Sequence, residues 1–73
     1  MKSYTEMIYD DIQDRWVIHL NGRTFGLHCG ECFKLNIGSM MIPCRIEIDS
    51  HWYIMIGEAR LNLRPQDIYR VVI

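Results

Sequence analysis

The sequence predicts an all-β fold, a small SH3-like antiparallel barrel of five to six strands. Three observations support this prediction. Apolar residues recur at every second position through most of the chain, β-branched and aromatic residues fill those runs, and turn signals separate them at intervals of about 8–12 residues. No window shows the period of an amphipathic helix. Closing the sheet into a barrel removes the exposed edge strands, which a domain this small has little other structure to cover.

The clearest local signal is an Asn-Gly pair near the N-terminal end. A first strand is predicted over residues 4–9. Residues 16–20 follow a period of two, residues 23–27 return as a second arm, and Asn21-Gly22 lies between the two runs. Asn-Gly in this position is the strongest short-range signal for a β-hairpin. We therefore expect a tight hairpin at these two residues.

The remaining strands follow from the same alternation and from the turn residues between them. The predicted segments are a strand at 33–37, a long strand at 41–49, a strand at 52–56, a short piece at 61–63, a 3₁₀ turn at 65–67 and a last strand at 68–73. A 3₁₀ turn before the final strand is typical of an SH3-like barrel.

Length and composition restrict the possible architectures. The 73 residues allow one domain, spanning 1–73. A hydrophobic fraction of 49% is enough for the chain to fold. An apolar core alone is nevertheless marginal below roughly 70–80 residues, so a staple such as a structural metal ion is expected.

Charge and hydropathy narrow the expected location and partners. The net charge is −1 and the sequence pI is about 6.2, with the basic residues dispersed, so a dominant nucleic-acid surface is not expected. No run approaches the roughly 18 apolar residues that span a bilayer, and the N-terminus lacks the apolar segment of a signal peptide. The expected location is cytoplasmic, without membrane contact.

Three cysteines and a histidine offer the expected staple. Cys29 and Cys32 are separated by two residues, and Cys44 and His51 follow in the next strands. Two cysteines at this spacing can present both sulfurs to one tetrahedral ion from a single turn, and a third cysteine with an imidazole completes the shell. The sequence therefore predicts a structural zinc ion held by Cys29, Cys32, Cys44 and His51.

Alternatives to this zinc site remain open. His28 is a rival fourth ligand, and His19 is a weaker one. Cys44 alternates with Ile42 and Ile46, so it could instead be buried like any small apolar residue. A redox role for the two close cysteines is disfavoured, because thioredoxin-like motifs lie between a strand and a helix whereas strands flank this one.

Several short motifs resemble those of a known group of proteins. The segments are 27–31 (Leu-His-Cys-Gly-Glu), 45–47 (Arg-Ile-Glu) and 52–53 (Trp-Tyr), preceded by a strand that begins with Trp16. The pattern resembles a family of very small, uncharacterised SH3-like β-barrel proteins carried on mobile elements and phages of Gram-positive bacteria. In general character, the chain also resembles phage-encoded anti-CRISPR proteins. Cys32 and Cys44 lie outside the family's pattern, so the resemblance does not imply zinc.

The expected function is non-enzymatic protein binding by a phage or mobile-element accessory protein. No Ser, His and Asp arrangement, Gly-rich phosphate loop or Walker-type lysine is present, so catalysis is not expected. The most concrete version of this function is inhibition of a host CRISPR nuclease. An acidic stripe would then contact the basic nucleic-acid channel of the nuclease; its residues are Glu6, Asp10, Asp11 and Asp14.

Other functional readings stay open beside this one. The alternative is a small β-barrel nucleic-acid-binding module, and a third is a structural subunit of a larger complex. Trp16 and Trp52 are expected in the core, whereas His51 and Tyr53 are better candidates for contact with a partner. The expected state is a monomer or a weak dimer.

Overall fold

The computed structural model describes residues 4–73, and their secondary structure consists of eight β-strands. In this described range no helix is long and apolar enough to cross a membrane. The eight strands confirm the predicted all-β fold class. The strands are β1 Tyr4–Asp10, β2 Arg15–Leu20, β3 Arg23–Gly26, β4 Cys32–Ile37, β5 Met40–Ile48, β6 Trp52–Ile56, β7 Ala59–Asn62 and β8 Tyr69–Val72.

All eight strands belong to one antiparallel sheet, in the order β3-β2-β1-β8-β4-β5-β6-β7. Two meanders, β1-β2-β3 and β4-β5-β6-β7, are joined by β8, which pairs with β1 on one side and β4 on the other. The sheet therefore differs from the predicted closed barrel of five to six strands. Because β8 joins the meanders at the centre, the outer strands β3 and β7 are left as two edges.

The hairpin predicted at Asn21-Gly22 is confirmed. Leu20 pairs with Arg23, and the two turn residues have φ angles of 54° and 75°. Positive φ at both positions is the type I′ geometry, whose twist matches that of the flanking strands. Two-residue turns also connect β4 with β5 and β6 with β7. The segment at 65–67 is a turn in which the Asp67 N–H donates to the Arg64 carbonyl at 2.9 Å.

The core lies on one face of the sheet, which must be strongly curved. In a flat sheet, β2 and β6 would lie about 24 Å apart, because strands are spaced by roughly 4.8 Å. Trp16 of β2 and Trp52 of β6 nevertheless line the same cleft. The inward-facing residues are Met7, Trp16, Ile18, Leu27, Phe33, Leu35, Cys44, Ile46, Ile54, Leu63 and Val71.

A polar brace holds the β7 edge against the β5–β6 turn. The guanidinium of Arg60 donates two hydrogen bonds to the carboxylate of Asp49, at 2.8 and 3.2 Å. The same guanidinium lies 3.7 Å from the ring centroid of Tyr53, and its Nε donates to the side chain of Asn62. The hydrogen bond from Arg60 holds the pKa of Asp49 well below its usual range. The ionised pair therefore stabilises the folded state.

The brace predicts a pH-dependent effect of Asp49→Asn on thermal stability. The variant should have a lower Tm than the wild type near neutral pH, because Arg60 loses its charged partner. A carboxylate with a depressed pKa stabilises the fold above its ordinary value of 3.8, and this contribution is lost as the pH falls further. The Tm difference, measured by circular dichroism, should therefore narrow in acid. Asp11→Asn, at an exposed turn residue, is the control. A Tm difference between the wild type and Asp49→Asn that stays constant down to acid pH would contradict the proposed ion pair.

Candidate functional site

Residues 28–32, which we call the thiol turn, connect β3 to β4. The Glu31 N–H donates to the His28 carbonyl at 3.1 Å, and Gly30 has a φ of 95° that side chains rarely allow. The turn is also bonded to β5, because the Gly30 N–H donates to the Ile46 carbonyl at 2.7 Å and the Ile46 N–H to the Glu31 carbonyl at 3.0 Å. β5 therefore holds the thiol turn in place.

The thiol of Cys29 is engaged in a surface network. Its Sγ donates to Glu47 Oε1 at 2.9 Å, while Arg45 Nε donates to Glu47 Oε2 at 2.5 Å. The hydrogen bond to Glu47 raises the pKa of Cys29, and the same bond, helped by Arg45, lowers the pKa of Glu47. Thiolates, not thiols, ligate metals and act as nucleophiles. The network therefore disfavours both activities at neutral pH.

The other two cysteines lie on opposite faces of the sheet. Cys32 is exposed and pairs with Arg45, whereas Cys44 pairs with Phe33 and is buried in the core. Side chains of successive residues alternate between faces of a strand, so these two side chains leave the sheet on opposite faces. Burial raises the pKa of Cys44 to about 11. Cys44 therefore packs as a small apolar residue, the alternative that the alternation of β5 left open.

His51 lies in the β5–β6 turn, separated from Cys44 by the C-terminal half of β5. The segment of β5 from Cys44 to Ile48 alone spans about 13 Å at roughly 3.3 Å per residue, whereas zinc ligands lie only about 2 Å from the ion. His51 follows that segment, in the β5–β6 turn, where its Nδ1 is 3.1 Å from the Ser50 hydroxyl. The rival ligand His19 has its Nδ1 3.0 Å from the hydroxyl of Thr24.

The predicted zinc ligands are thus not brought together. Across residues 4–73 there is no group of three or more His, Cys, Asp or Glu side chains placed to hold a metal ion. Within that range Cys29, Cys32, Cys44 and His51 do not form one group of donors, and zinc binding stays a prediction. The spacing of these residues along the chain allowed a tetrahedral zinc site. In the fold, however, Cys44 faces the core, and His51 lies beyond the C-terminal end of β5.

A groove lies beside the edge strand β3, and we call it the edge groove. Its cavity volume is about 330 Å³, near the lower end of the range for ligand pockets. Phe25 forms part of its wall and is 44% exposed. The polar residues His28 and Glu31 come from the thiol turn. The apolar lining consists of Ile18, Leu20, Phe25, Leu27 and Ile73.

A second, smaller cavity of about 130 Å³ lies between β2 and β6, and we call it the aromatic cleft. The rings of Tyr9 and Trp16 pack at a centroid distance of 5.5 Å. The Tyr9 hydroxyl donates to Asp14, and this bond raises the pKa of Tyr9. The lining residues are Tyr9, Asp14, Trp16, Ser50, His51, Trp52, Leu63 and Pro65.

Both tryptophans of the aromatic cleft carry a buried indole N–H that finds no acceptor within residues 4–73. Among the residues that the structure describes, neither the Trp16 nor the Trp52 indole N–H has a hydrogen-bond partner. Leaving a buried donor unsatisfied costs about 1–3 kcal/mol, and such groups are rare in native proteins. The sequence places both tryptophans on apolar faces, but it carries no signal that their nitrogens would lack partners.

Comparisons with known proteins establish the family. The profile of a family described as "Domain of unknown function (DUF5348)" matches residues 5–73. The chain belongs to the DUF5348 family. A crystal structure of a protein from Ruminococcus gnavus is similar to this DUF5348 chain, with a TM-score of 0.79 and 32% sequence identity. The match covers 97% of this chain and 100% of the other. A search of curated proteins found no match.

These matches bear on only part of the predicted resemblance. They support membership of a small β-fold family, shared with the Ruminococcus gnavus protein. Carriage on phages or mobile elements stays a prediction. Of the two residues expected to contact a partner, His51 lines the aromatic cleft, whereas the Tyr53 ring lies under the Arg60 guanidinium. The edge groove was missed because a closed barrel was expected.

The three thiols should differ in reactivity. In native protein, iodoacetamide should modify Cys29 and Cys32, whereas the buried Cys44 should react only after unfolding. Glu47→Gln should lower the raised pKa of Cys29 and speed its alkylation near neutral pH, because an amide accepts a weaker hydrogen bond from the thiol than the carboxylate does and carries no charge. Peptide mass spectrometry measures each rate, with Cys32 as the internal control.

The zinc content of the purified protein tests this arrangement of the three thiols independently. Elemental analysis of the purified protein should find zinc well below one equivalent per chain. One zinc per chain, with all three thiols protected from iodoacetamide until a chelator is added, would contradict the placement of Cys44 in the core.

Proposed function

We propose that this DUF5348 domain is a non-enzymatic protein-binding domain that takes up an extended segment of a partner protein along β3. The observation that carries the proposal is the position of the edge groove directly beside an edge strand. Such recognition adds one strand to a sheet: main-chain hydrogen bonds supply affinity, and pockets for alternate side chains supply specificity.

The main chain of β3 is available for this pairing. In the described sheet, β3 pairs with β2 on one side and forms an edge on the other. Hydrogen-bonded and non-hydrogen-bonded pairs alternate along an antiparallel ladder, and the pair that closes a two-residue hairpin, Leu20 with Arg23, is hydrogen-bonded. The next pair is His19 with Thr24, so the main-chain groups of Thr24 point away from β2. An incoming strand can bond to them.

The edge groove supplies the side-chain contact. Phe25 follows Thr24 on β3, and its ring lines the groove together with Leu20 and Ile73. A volume of about 330 Å³ is enough for one or two large apolar side chains of the added strand. The expected partner is therefore an extended segment with large apolar residues at alternate positions. β3 is short and begins with Arg23, features that limit self-association of an edge.

Peptide selection tests the proposal directly. A displayed library of random peptides, selected on the wild-type protein, should yield segments with alternating large apolar residues. Phe25→Ala should weaken binding of a selected peptide about tenfold or more, since loss of a packed aromatic anchor costs at least about 1–2 kcal/mol. Thr24→Pro should also weaken it by removing an edge donor. Ile37→Ala is the matched control, because Ile37 is 45% exposed and Phe25 is 44% exposed.

Two results would reject this binding mode. One is an Ile37→Ala effect equal to that of Phe25→Ala, with both variants folded by circular dichroism. The other is a concentration-dependent dimer that Phe25→Ala abolishes, because the occupant of the groove would then be a second copy of the chain.

We propose inhibition of a host CRISPR nuclease as the specific form of this binding function, and the acidic β1–β2 turn supports it. Asp10, Asp11 and Asp14 lie at this turn, where Asp10 accepts hydrogen bonds from the main-chain N–H groups of Ile12 and Gln13. Glu6 lies apart, within β1 opposite Arg70. Three carboxylates on one turn are complementary to a basic nucleic-acid channel.

A cleavage assay tests this specific form. Purified DUF5348 protein in excess should slow DNA cleavage by a host CRISPR effector, and Asp11→Lys should restore cleavage because it reverses one charge of the acidic turn. Ile37→Ala should inhibit like the wild type. Undiminished cleavage would reject nuclease inhibition but not peptide binding at β3. Salt-dependent retardation of DNA or RNA by the protein alone would favour the nucleic-acid-binding alternative.

A further inference from the structure

The edge strand β3 ends at a glycine whose missing side chain is replaced by an arginine from β2. A Cβ atom at Gly26 would lie 2.7 Å from Cδ and 2.9 Å from Nη1 of Arg15. The φ angle of Gly26 is not positive, so the backbone conformation does not require glycine at this position. The close approach of Arg15 does require it. The guanidinium therefore occupies the space that a side chain at position 26 would fill.

This guanidinium lies on the face of β3 opposite to the edge groove. Gly26 pairs with Val17, and Arg15 precedes Val17 by two residues, so Arg15 lies on the face where Gly26 lacks its side chain. Phe25 points to the other face, where its ring lines the edge groove. A strand added to β3 would therefore meet Phe25 on one face and Arg15 on the other.

The main chain of Gly26 is available to the same added strand. The Leu27 N–H donates to the Trp16 carbonyl at 2.8 Å, so these two residues form a hydrogen-bonded pair. Because such pairs alternate with non-hydrogen-bonded ones, the N–H and C=O of Gly26 point away from β2, like those of Thr24. A residue of the added strand that pairs with Gly26 therefore presents its side chain to Arg15.

The charge of Arg15 is not used by the described part of the chain. Among residues 4–73, no carboxylate forms an ion pair with Arg15. Asp10 lies opposite Arg15 in the ladder, but its carboxylate accepts two main-chain hydrogen bonds within the β1–β2 turn. The carboxylate of Asp14 accepts from the Tyr9 hydroxyl. A carboxylate of a partner can therefore bind to the guanidinium of Arg15.

We propose that Arg15 selects partner segments in which an aspartate or glutamate directly precedes the apolar residue that enters the edge groove. This inference rests on the proposed function and adds the charge of the partner to it. All strand pairs of the described sheet are antiparallel. In an antiparallel addition, the residue opposite Gly26 comes immediately before the residue opposite Phe25.

The distances across such a pair suit an ion pair. Residues opposite each other on neighbouring strands have Cβ atoms about 4.5–5.5 Å apart, and opposite charges at these positions attract. Nη1 of Arg15 lies close to where the Cβ atom of position 26 would be, so a carboxylate on the opposite residue is within its reach. Glu31 lines the edge groove and would repel a carboxylate there. The acidic residue is therefore confined to the face of Arg15.

Parallel selections from one displayed library of random peptides test this inference. Peptides selected on the wild type should carry an aspartate or glutamate directly before a large apolar residue. Peptides selected on Arg15→Gln should keep the alternating apolar residues and lose the acidic one. In a peptide selected on the wild type, replacing the acid by its amide should weaken binding to the wild type about fivefold, and binding to Arg15→Gln by less than about twofold.

Two further variants separate this contact from a general effect of charge. Arg23→Gln removes the same charge from the other end of β3, so the preference of the protein for acid over amide should stay as in the wild type. Gly26→Ala keeps the charge, but its Cβ atom would displace the guanidinium. That variant should reduce the preference as Arg15→Gln does. Circular dichroism checks that each variant is folded.

Two outcomes would overturn this inference and leave the proposed function standing. One is a set of wild-type peptides that depend on Phe25 but show no excess of acidic residues directly before the apolar one. The other is an acid-to-amide replacement that weakens binding equally for the wild type and Arg15→Gln. If Arg15→Gln does not fold, the same comparison on Gly26→Ala decides. A selection that yields no alternating apolar residues at all would reject the proposed function and this inference together.

Discussion

The placement of β8 at the centre of the sheet is the constraint on which the rest of the structure depends. This C-terminal strand pairs with β1 through four residues and with β4 through Lys34 and Leu35. Val71 of β8 is almost fully buried and lies opposite Leu35. The two meanders on either side are local hairpin structures, and β8 joins them into one sheet with a shared core. Such a non-local pairing requires closing a long loop before any contact is gained.

The central position of β8 also leaves two edges, and the chain protects them differently. On β7, Arg60 is held by Asp49 and lies over Tyr53, so a charged side chain is fixed along that edge. Charged residues on an edge oppose pairing with another strand. On β3, by contrast, the partly exposed Phe25 lies beside an apolar groove. This asymmetry is the physical reason to place a protein-binding site at β3 rather than β7.

The sequence was a good guide to local structure and a poor guide to long-range assembly. The Asn21-Gly22 hairpin and the alternation of β5 depend on neighbours along the chain, and both were predicted correctly. The strand order could not be predicted, because it depends on where β8 pairs. The zinc hypothesis stays a prediction: the structure places Cys44 in the core and His51 in the β5–β6 turn, and the spacing of cysteines along the chain does not determine how far apart such residues lie in the fold. The sequence likewise could not predict that the Trp16 indole nitrogen has no hydrogen-bond partner among the described residues, because such partners come from distant strands.

The two close cysteines nevertheless belong to a segment with a structural consequence. The thiol of Cys29 donates to Glu47, and the turn that carries it is bonded to Ile46 through its main chain. Both contacts hold the turn on β5. Because His28 and Glu31 of the same turn line the edge groove, this attachment sets one wall of the groove opposite Phe25. The cysteine motif therefore contributes to the frame of the edge groove.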